Sequence, residues 1–278
     1  ENLFEEAVET YRYVLSLDED SLRAYEGLAK ASMFWGELSQ ELTKFEKSIE
    51  YYQQCAKLSV LTPFFLNEWG SAYLKLAEIT NDRFHVEMAV QKLQQAMDIR
   101  EEQGTPDALL MYNYGCALDY LGDFYESSEY YRKSVNVLEE VLLLAPDFLN
   151  VRYNLALALS HLAEVSLEPQ LFEQSLENFA YLTQKDPEDE VVWCDWGVTL
   201  IAYAQLLQEP FSEEKIHELY LESESKLLRS SGLGNGYAYY NLACLYSLMQ
   251  EYELSLRSLE QAEKAGGLPP IAELLHDN

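Results

Sequence analysis

Four histidines, four cysteines and a surplus of carboxylates are the groups in this sequence that could do chemistry, and their spacing brings none of them together. His85, His161, His217 and His276 are scattered, with neither an HExxH run nor a pair one helical turn apart, so no zinc site is indicated. Carboxylates occur everywhere, and runs such as Glu139-Glu140 and Glu213-Glu214 read as solvated helix faces rather than acid/base couples. Gly232-Leu233-Gly234-Asn235-Gly236 is the nearest approach to a phosphate loop. It lacks the P-loop lysine and hydroxyl, misses the dinucleotide spacing and follows no strand, so it reads as a link between helical hairpins. Cys116 and Cys244 stand at matching places in a repeated pattern, as small packing residues would. A catalytic thiol would need a histidine partner and a lowered pKa, and the sequence offers neither. No enzymatic activity, metal or cofactor is expected.

The totals narrow the partners. Nineteen basic against 48 acidic residues give a net charge of −29. Such a chain repels nucleic acid and anionic membrane surfaces, which excludes both as expected partners. The charge would favour a basic partner, and it serves solubility in any case. Hydrophobic content of 48% suffices for a core, and only 12 Gly and 8 Pro argue against disorder or a loop-rich β fold. Cys55, Cys116, Cys194 and Cys244 lie far apart with no CxxC pair, which suits free thiols in a reducing, intracellular and cytoplasmic setting. No apolar run approaches the roughly 18 residues of a membrane span. The chain opens on Glu1 rather than Met, so a targeting segment could precede it.

The elements that must position these groups are announced by a pattern that returns six times. A large or aromatic residue is followed three residues later by another, then at once by Gly or Ala. The copies start at Tyr25, Leu66, Met111, Arg152, Trp193 and Tyr239, with Tyr239-Tyr240-Asn241-Leu242-Ala243 and Met111-Tyr112-Asn113-Tyr114-Gly115 the clearest. Repetition on this scale predicts an array of supersecondary units rather than one wrapped core. Each unit reads as two antiparallel helices. The first helices are expected to start at Asp20-Ser21, Thr62-Pro63, Thr105-Pro106, Pro146-Asp147 and Asp186-Pro187, where side chains can cap free amides and Pro is tolerated. Short breaks such as Gly122-Asp123 are expected to separate the two helices. The second helices carry stripes of small and bulky residues at helical spacing, as in Ala89, Leu93 and Ala96, or Ser127, Tyr131 and Ser134. Trp69 and Trp196 are expected between helices, and Gly197 where two helix backbones come close.

These features resemble the tetratricopeptide repeat family, whose loose signature sets Trp, Leu, Gly and Tyr on one helix, Ala, Phe and Ala on the next, and then Pro. The closest local match runs from Tyr239 to Tyr246 and on through Tyr252, Ser255, Leu259 and Ala262. The resemblance covers essentially the whole chain. Successive starts are 41 to 46 residues apart, against a usual period of about 34. The usual excess of about seven residues is two helical turns, which leaves the apolar stripe on nearly the same face. In the repeats starting at Tyr25, Leu66 and Arg152 the extra length is expected around the first helix and turn. In the Met111 repeat it is expected in the second helix, through Val137–Leu142. The first helix of the Trp193 unit is expected to run to about Gln208. Longer arms imply a deeper groove.

The resemblance implies an all-α, right-handed α-solenoid of antiparallel helix hairpins. Residues 1–19 form an orphan second helix, with Leu3, Phe4, Ala7, Tyr11 and Val14 as its stripe. Six hairpins follow at 20–60, 61–104, 105–145, 146–186, 187–232 and 233–265, then a tail over 266–278 after Gly266-Gly267. Both ends look cut, so the chain reads as a fragment of a longer protein. In the family the first helices line the concave face, which carries over to Tyr112-Asn113, Tyr153-Asn154 and Tyr240-Asn241. An Asn amide can donate to and accept from a peptide backbone, and the adjacent Tyr offers flat apolar area with a polar tip. Groove contact and simple tying of helices are both open for these pairs. A carboxylate clamp is not expected, because Arg23, Lys30, Lys75 and Arg152 are spread over separate repeats among many acids. The expected function is a non-enzymatic adaptor, scaffold or chaperone that binds a protein or peptide segment in the concave groove. The alternatives are a structural subunit packing through its ends and convex face, or the regulatory array of a longer enzyme. Oligomeric state is left open.

Overall fold

The computed structural model describes residues 2–207 and 213–270, and helix is the only regular secondary structure among them. The thirteen described helices are α1 (Asn2–Leu17), α2 (Leu22–Ser39), α3 (Leu42–Leu58), α4 (Pro63–Thr80), α5 (Arg83–Gln103), α6 (Ala108–Tyr125), α7 (Ser128–Leu144), α8 (Leu149–Ser166), α9 (Pro169–Lys185), α10 (Glu190–Leu206), α11 (Glu213–Leu233), α12 (Tyr237–Leu248) and α13 (Tyr252–Ala265). The chain divides into two compact units, Glu1–Val137 and Leu138–Asn278. Each is an all-α array of antiparallel helix pairs, the architecture of a solenoid.

One contact recurs at the centre of the pairs. A serine on the second helix, buried in four pairs and half-buried in the last, donates to the carbonyl of the small residue on the first: Ser48 to Ala29 at 2.8 Å, Ser134 to Gly115 at 2.8 Å, Ser175 to Ala156 at 2.6 Å, Ser223 to Gly197 at 2.7 Å and Ser255 to Ala243 at 2.9 Å. The partners stand 19 residues apart in three pairs, 26 in α10–α11 and 12 in α12–α13. These separations step by seven. Seven residues are close to two turns, so a step of that size returns both helices to the same facing register. Ser175→Ala should cost about 0.5–1.5 kcal/mol, the usual worth of one buried hydrogen bond, read from urea unfolding of the full chain. An unchanged midpoint would mean that the small residue packs there without help from the hydroxyl.

The step also shows where the extra length goes. The short pair has helices of 12 and 14 residues, α12 and α13, whereas α8 and α9 have 18 and 17. Lengthening is therefore shared by the two arms around the turn, not confined to the first helix. The second helix of the Met111 repeat does extend through Val137–Leu142, reaching Leu144, but α6 is long as well. Of the stripe expected in α7, Tyr131 and Ser134 are buried, and the serine that faces Gly115 is Ser134, two turns beyond Ser127. Helix α10 closes at Leu206, and Gln208 lies outside the described residues.

The turns differ most from expectation. Gly122-Asp123 does not break the pair; α6 runs on to Tyr125, and Gly122 lies under the Tyr131 ring, where an added Cβ would sit 2.5 Å from Cε1. Reversal instead uses left-handed residues with side chains: Gln40, Asn81, Glu126 and Leu167 cap α2, α4, α6 and α8, and Gln250 follows α12. Caps at the starts also shift. Ser21 and Thr62 stand where expected, and the Thr62 side chain accepts from the Phe65 amide. The others move inward to Asp107, Phe148 and Asp189, of which the two aspartates accept amide hydrogen bonds. Gly266 ends α13 in the left-handed conformation, as its position predicts.

In the first unit Trp69, Tyr73, Leu66 and Leu93 centre the core, and α1 packs on α2 through Val8, Ala7, Tyr11 and Leu15. Leu3, expected in that stripe, is 79% exposed. In the second unit Trp196, Phe172, Phe179 and Leu200 form one cluster, and Leu227, Leu242 and Tyr246 another. Both tryptophans are buried between helices, as their place in the repeat requires.

Candidate functional site: the first-helix face

First helices touch the first helices of neighbouring repeats: α4 touches α6, and α10 touches both α8 and α12. They thus form a shared wall along each unit. Side chains one and two residues beyond each repeat start bridge this wall in a constant register. Asn113 Nδ2 donates to Asn67 Oδ1 at 2.9 Å and to Ser71 Oγ at 3.1 Å. Tyr153 Oη donates to Asp195 Oδ2 at 2.6 Å, and Asn241 Nδ2 donates to Cys194 Sγ at 3.2 Å. In each rung the second position of one repeat meets the first position of the repeat before it.

All six residues singled out from the sequence lie half-buried on first helices. Asn113 and Asn241 join neighbouring helices, and Tyr153 does the same through Asp195. Asn154 donates to the Asn150 carbonyl of its own helix at 2.9 Å. Tyr112 interacts with the Cys116 thiol one turn on, and Tyr240 is half-buried on α12. The tying role, one of the two readings open for these pairs, is thus present at three rungs. Asn67, Ser71, Cys194 and Asp195 were not picked out by type. Their signal was positional: Asn67 and Cys194 occupy the tyrosine place of the repeat, and Asp195 the asparagine place.

Asn113→Ala should lower stability by about 1–3 kcal/mol, because it strips hydrogen bonds at once from the buried Asn67 and the half-buried Ser71. Differential scanning calorimetry would read this, and an unchanged Tm would show that Asn67 and Ser71 find water instead.

Electrostatics on this wall follow burial. The Asp195 carboxyl is raised above its ordinary range by desolvation, which outweighs the Tyr153 hydrogen bond and the influence of His161 that act the other way. The Tyr153 phenol is raised too, first by burial and then by the Asp195 charge. A raised carboxyl favours the protonated folded state. Its contribution is complete below the unfolded pKa, near 3.8, and is lost as pH climbs through the folded value. Asp195→Asn should therefore gain on the parent in stability as pH rises from acid towards neutral. Parallel stability–pH curves for the two proteins would contradict the assignment.

Burial also pushes the Cys55 and Cys116 thiols up to about 12 and Cys194 to about 11, the reverse of nucleophile activation. Among the described residues no three His, Cys, Asp or Glu side chains are placed to share a metal ion. His276 lies outside the described residues. No described helix is long and apolar enough to cross a membrane.

Comparison with known proteins agrees with this construction. The family model for the tetratricopeptide repeat matches residues 108–137 and 236–265. No curated protein matches the chain by sequence. Among solved structures, the C-terminal part of a TPR repeat-containing protein from Cytophaga hutchinsonii is similar over 97% of this chain and 96% of its own, with 12% identity and a TM-score of 0.53. The anaphase-promoting complex hetero-tetramer Cut9-Hcn1 is similar over 93% of this chain and 40% of its own, with 15% identity and a TM-score of 0.56. The chain carries tetratricopeptide repeats at residues 108–137 and 236–265 within an all-α array, most of whose helix pairs are longer than the α12–α13 pair by about one turn in each arm.

Proposed function

We propose that this chain is a non-enzymatic interaction module that holds an extended segment of a partner protein along the inner wall of its first helices. The observation that carries this is an exposed apolar side chain one turn ahead of the rungs. Phe64, Leu109, Val191 and Tyr237 are 58%, 53%, 45% and 60% exposed, and each precedes by four residues Glu68, Asn113, Asp195 or Asn241. A spacing of four places both on one helix face. In each unit the wall therefore offers an apolar edge beside amide and phenol groups already fixed by inter-repeat hydrogen bonds. Such groups lose little freedom when a ligand arrives. The net charge of −29 favours basic segments, speeds their capture and makes binding weaken with salt. Cys55, Cys116, Cys194 and Cys244 form no disulfide, which suits a reducing, intracellular setting.

A photo-crosslinking residue at Leu109 or Tyr237, compared with Glu46 and Glu177 on the second helices α3 and α9, tests the proposal in the cell that makes the protein. Partner adducts should form from Leu109 and Tyr237. Adducts formed only from Glu46 and Glu177 would favour a structural subunit that packs by its outer face.

A further inference from the structure

In the second unit the wall opens into a cavity of about 500 Å³ between the starts of α10 and α12. Glu190, Cys194, Asp195, Asn235, Tyr237 and Asn241 line it, together with the backbone of Gly234 and Gly236. Its character is set by which hydrogen-bonding groups are already used. Two helices start here, and open helix starts attract anions through their free amides. Three of these amides are occupied: Asp189 Oδ1 accepts from the Val191 and Val192 amides at 3.1 Å each, and Asn235 Oδ1 accepts from the Tyr237 amide at 3.0 Å. Side-chain donors are engaged as well: Asn241 Nδ2 gives one hydrogen to Cys194 Sγ, and Asn235 Nδ2 gives one to the Glu190 carbonyl at 3.4 Å.

The charged groups left to meet a ligand are acceptors. Asp195 gives Oδ2 to Tyr153, which leaves Oδ1, and no Lys or Arg of the described residues pairs with this carboxylate. The Glu190 carboxylate and Asn241 Oδ1 add two more acceptors. Lys226 and Arg229, the nearest cations along α11, are committed to Glu222 and Glu188. At the rim the Tyr237 ring is 60% exposed.

We propose that this cavity receives an arginine side chain of the bound segment, its guanidinium held by Glu190, Asp195 and Asn241 and covered by Tyr237. A planar fork of five donors suits several acceptors spread around one pocket, and it stacks on an aromatic face; a lysine ammonium does neither as well. Desolvation of Asp195 acts in the same direction, since a cation beside it relieves the cost of its half-buried charge. The assignment rests on the inner-wall reading and supplies the anchor that reading lacks.

Nα-acetyl-arginine amide, the matching lysine amide and the matching glutamate amide can be titrated into the 15N-labelled full chain. The arginine probe should shift the amides of Val191, Cys194, Gly236 and Asn241 saturably, the lysine probe more weakly, and the glutamate probe not at all. In the double variant Glu190→Gln, Asp195→Asn the arginine response should weaken by about tenfold or more, as expected when paired charges are removed. The aspartate change keeps an oxygen for Tyr153, and calorimetry of the variant separates unfolding from lost binding. Equal shifts by arginine and lysine, an undiminished response in the folded double variant, or weak shifts scattered over the acidic surface would each overturn the assignment. Failure here with partner adducts still forming from Leu109 leaves the inner-wall reading intact. A saturable arginine response with adducts only from Glu46 and Glu177 removes that reading and keeps the pocket.

Discussion

Trp196→Ala should cost about 3–5 kcal/mol, the largest loss expected from a single truncation in the second unit. The indole is 9% exposed and sits in a cluster with Phe172, Phe179, Leu200 and Tyr203. It stacks on Trp193 with ring centroids 5.5 Å apart and 11° between planes, and the Lys226 ammonium lies 3.9 Å from its centroid. Truncation therefore removes apolar area, a stacking partner and a cation–π contact together. Its Nε1 has no hydrogen-bond partner among protein atoms, so no acceptor is orphaned by the change. Trp196→Phe, which keeps a ring and discards that buried N–H, should lose less than half as much. Urea unfolding of the three proteins compares them directly. A Trp196→Ala protein as stable as the parent would show that the register of α10 against α11 is wrong.

Gly197→Leu should be damaging for the opposite reason, at about 3 kcal/mol, the upper end for overpacked cores. A Cβ on Gly197 would stand 2.6 Å from Leu227 Cγ and 2.8 Å from Leu227 Cδ2, with the Ser223 carbonyl 3.4 Å away. A branching carbon in a fully buried leucine cannot swing aside, so α11 must move outward. That motion breaks the 2.7 Å bond from Ser223 Oγ to the Gly197 carbonyl. Leu227→Ala should recover part of the loss when the two changes are combined, although it is destabilising alone. Strict additivity of the two changes would show that the clash is relieved elsewhere. Gly70 faces Leu93 in the same way in the first unit, with 2.6 Å between its added Cβ and Leu93 Cγ, and the same experiment applies there.

The recurrence of Trp-Gly at Trp69-Gly70 and Trp196-Gly197 was legible in residue types alone, whereas the leucines that face the glycines, Leu93 and Leu227, emerge only in the folded pairs. Where two helices must nearly touch, a side chain on one is forbidden, and the bulky neighbours that fill the flanks repeat with it. The rungs of the first-helix wall were legible only in part. Asn113 and Asn241 stood out because Tyr-Asn recurs, whereas Asn67, Cys194 and Asp195 are of other types. A rung needs one donor and one acceptor that fit across the gap, and amide–amide, phenol–carboxylate and amide–thiol pairs all satisfy it. Position is retained while chemistry varies, so residue type is a poor guide there.

The sequence by itself determined that the chain would be helical and that it would repeat. Both follow from local periodicity. The tertiary structure decided where each pair turns and how the two arms align. Gln40, Glu126 and Leu167 adopt a left-handed conformation that their side chains disfavour, while Gly122, the residue best suited to it, stays helical beneath Tyr131. Such a strained turn costs of order 1 kcal/mol. Sliding one arm by a single residue would instead rotate its whole buried stripe away from its partner, a far larger loss. Packing between the arms therefore outweighs the preference of the turn, and only the folded pair reveals which residue must carry it.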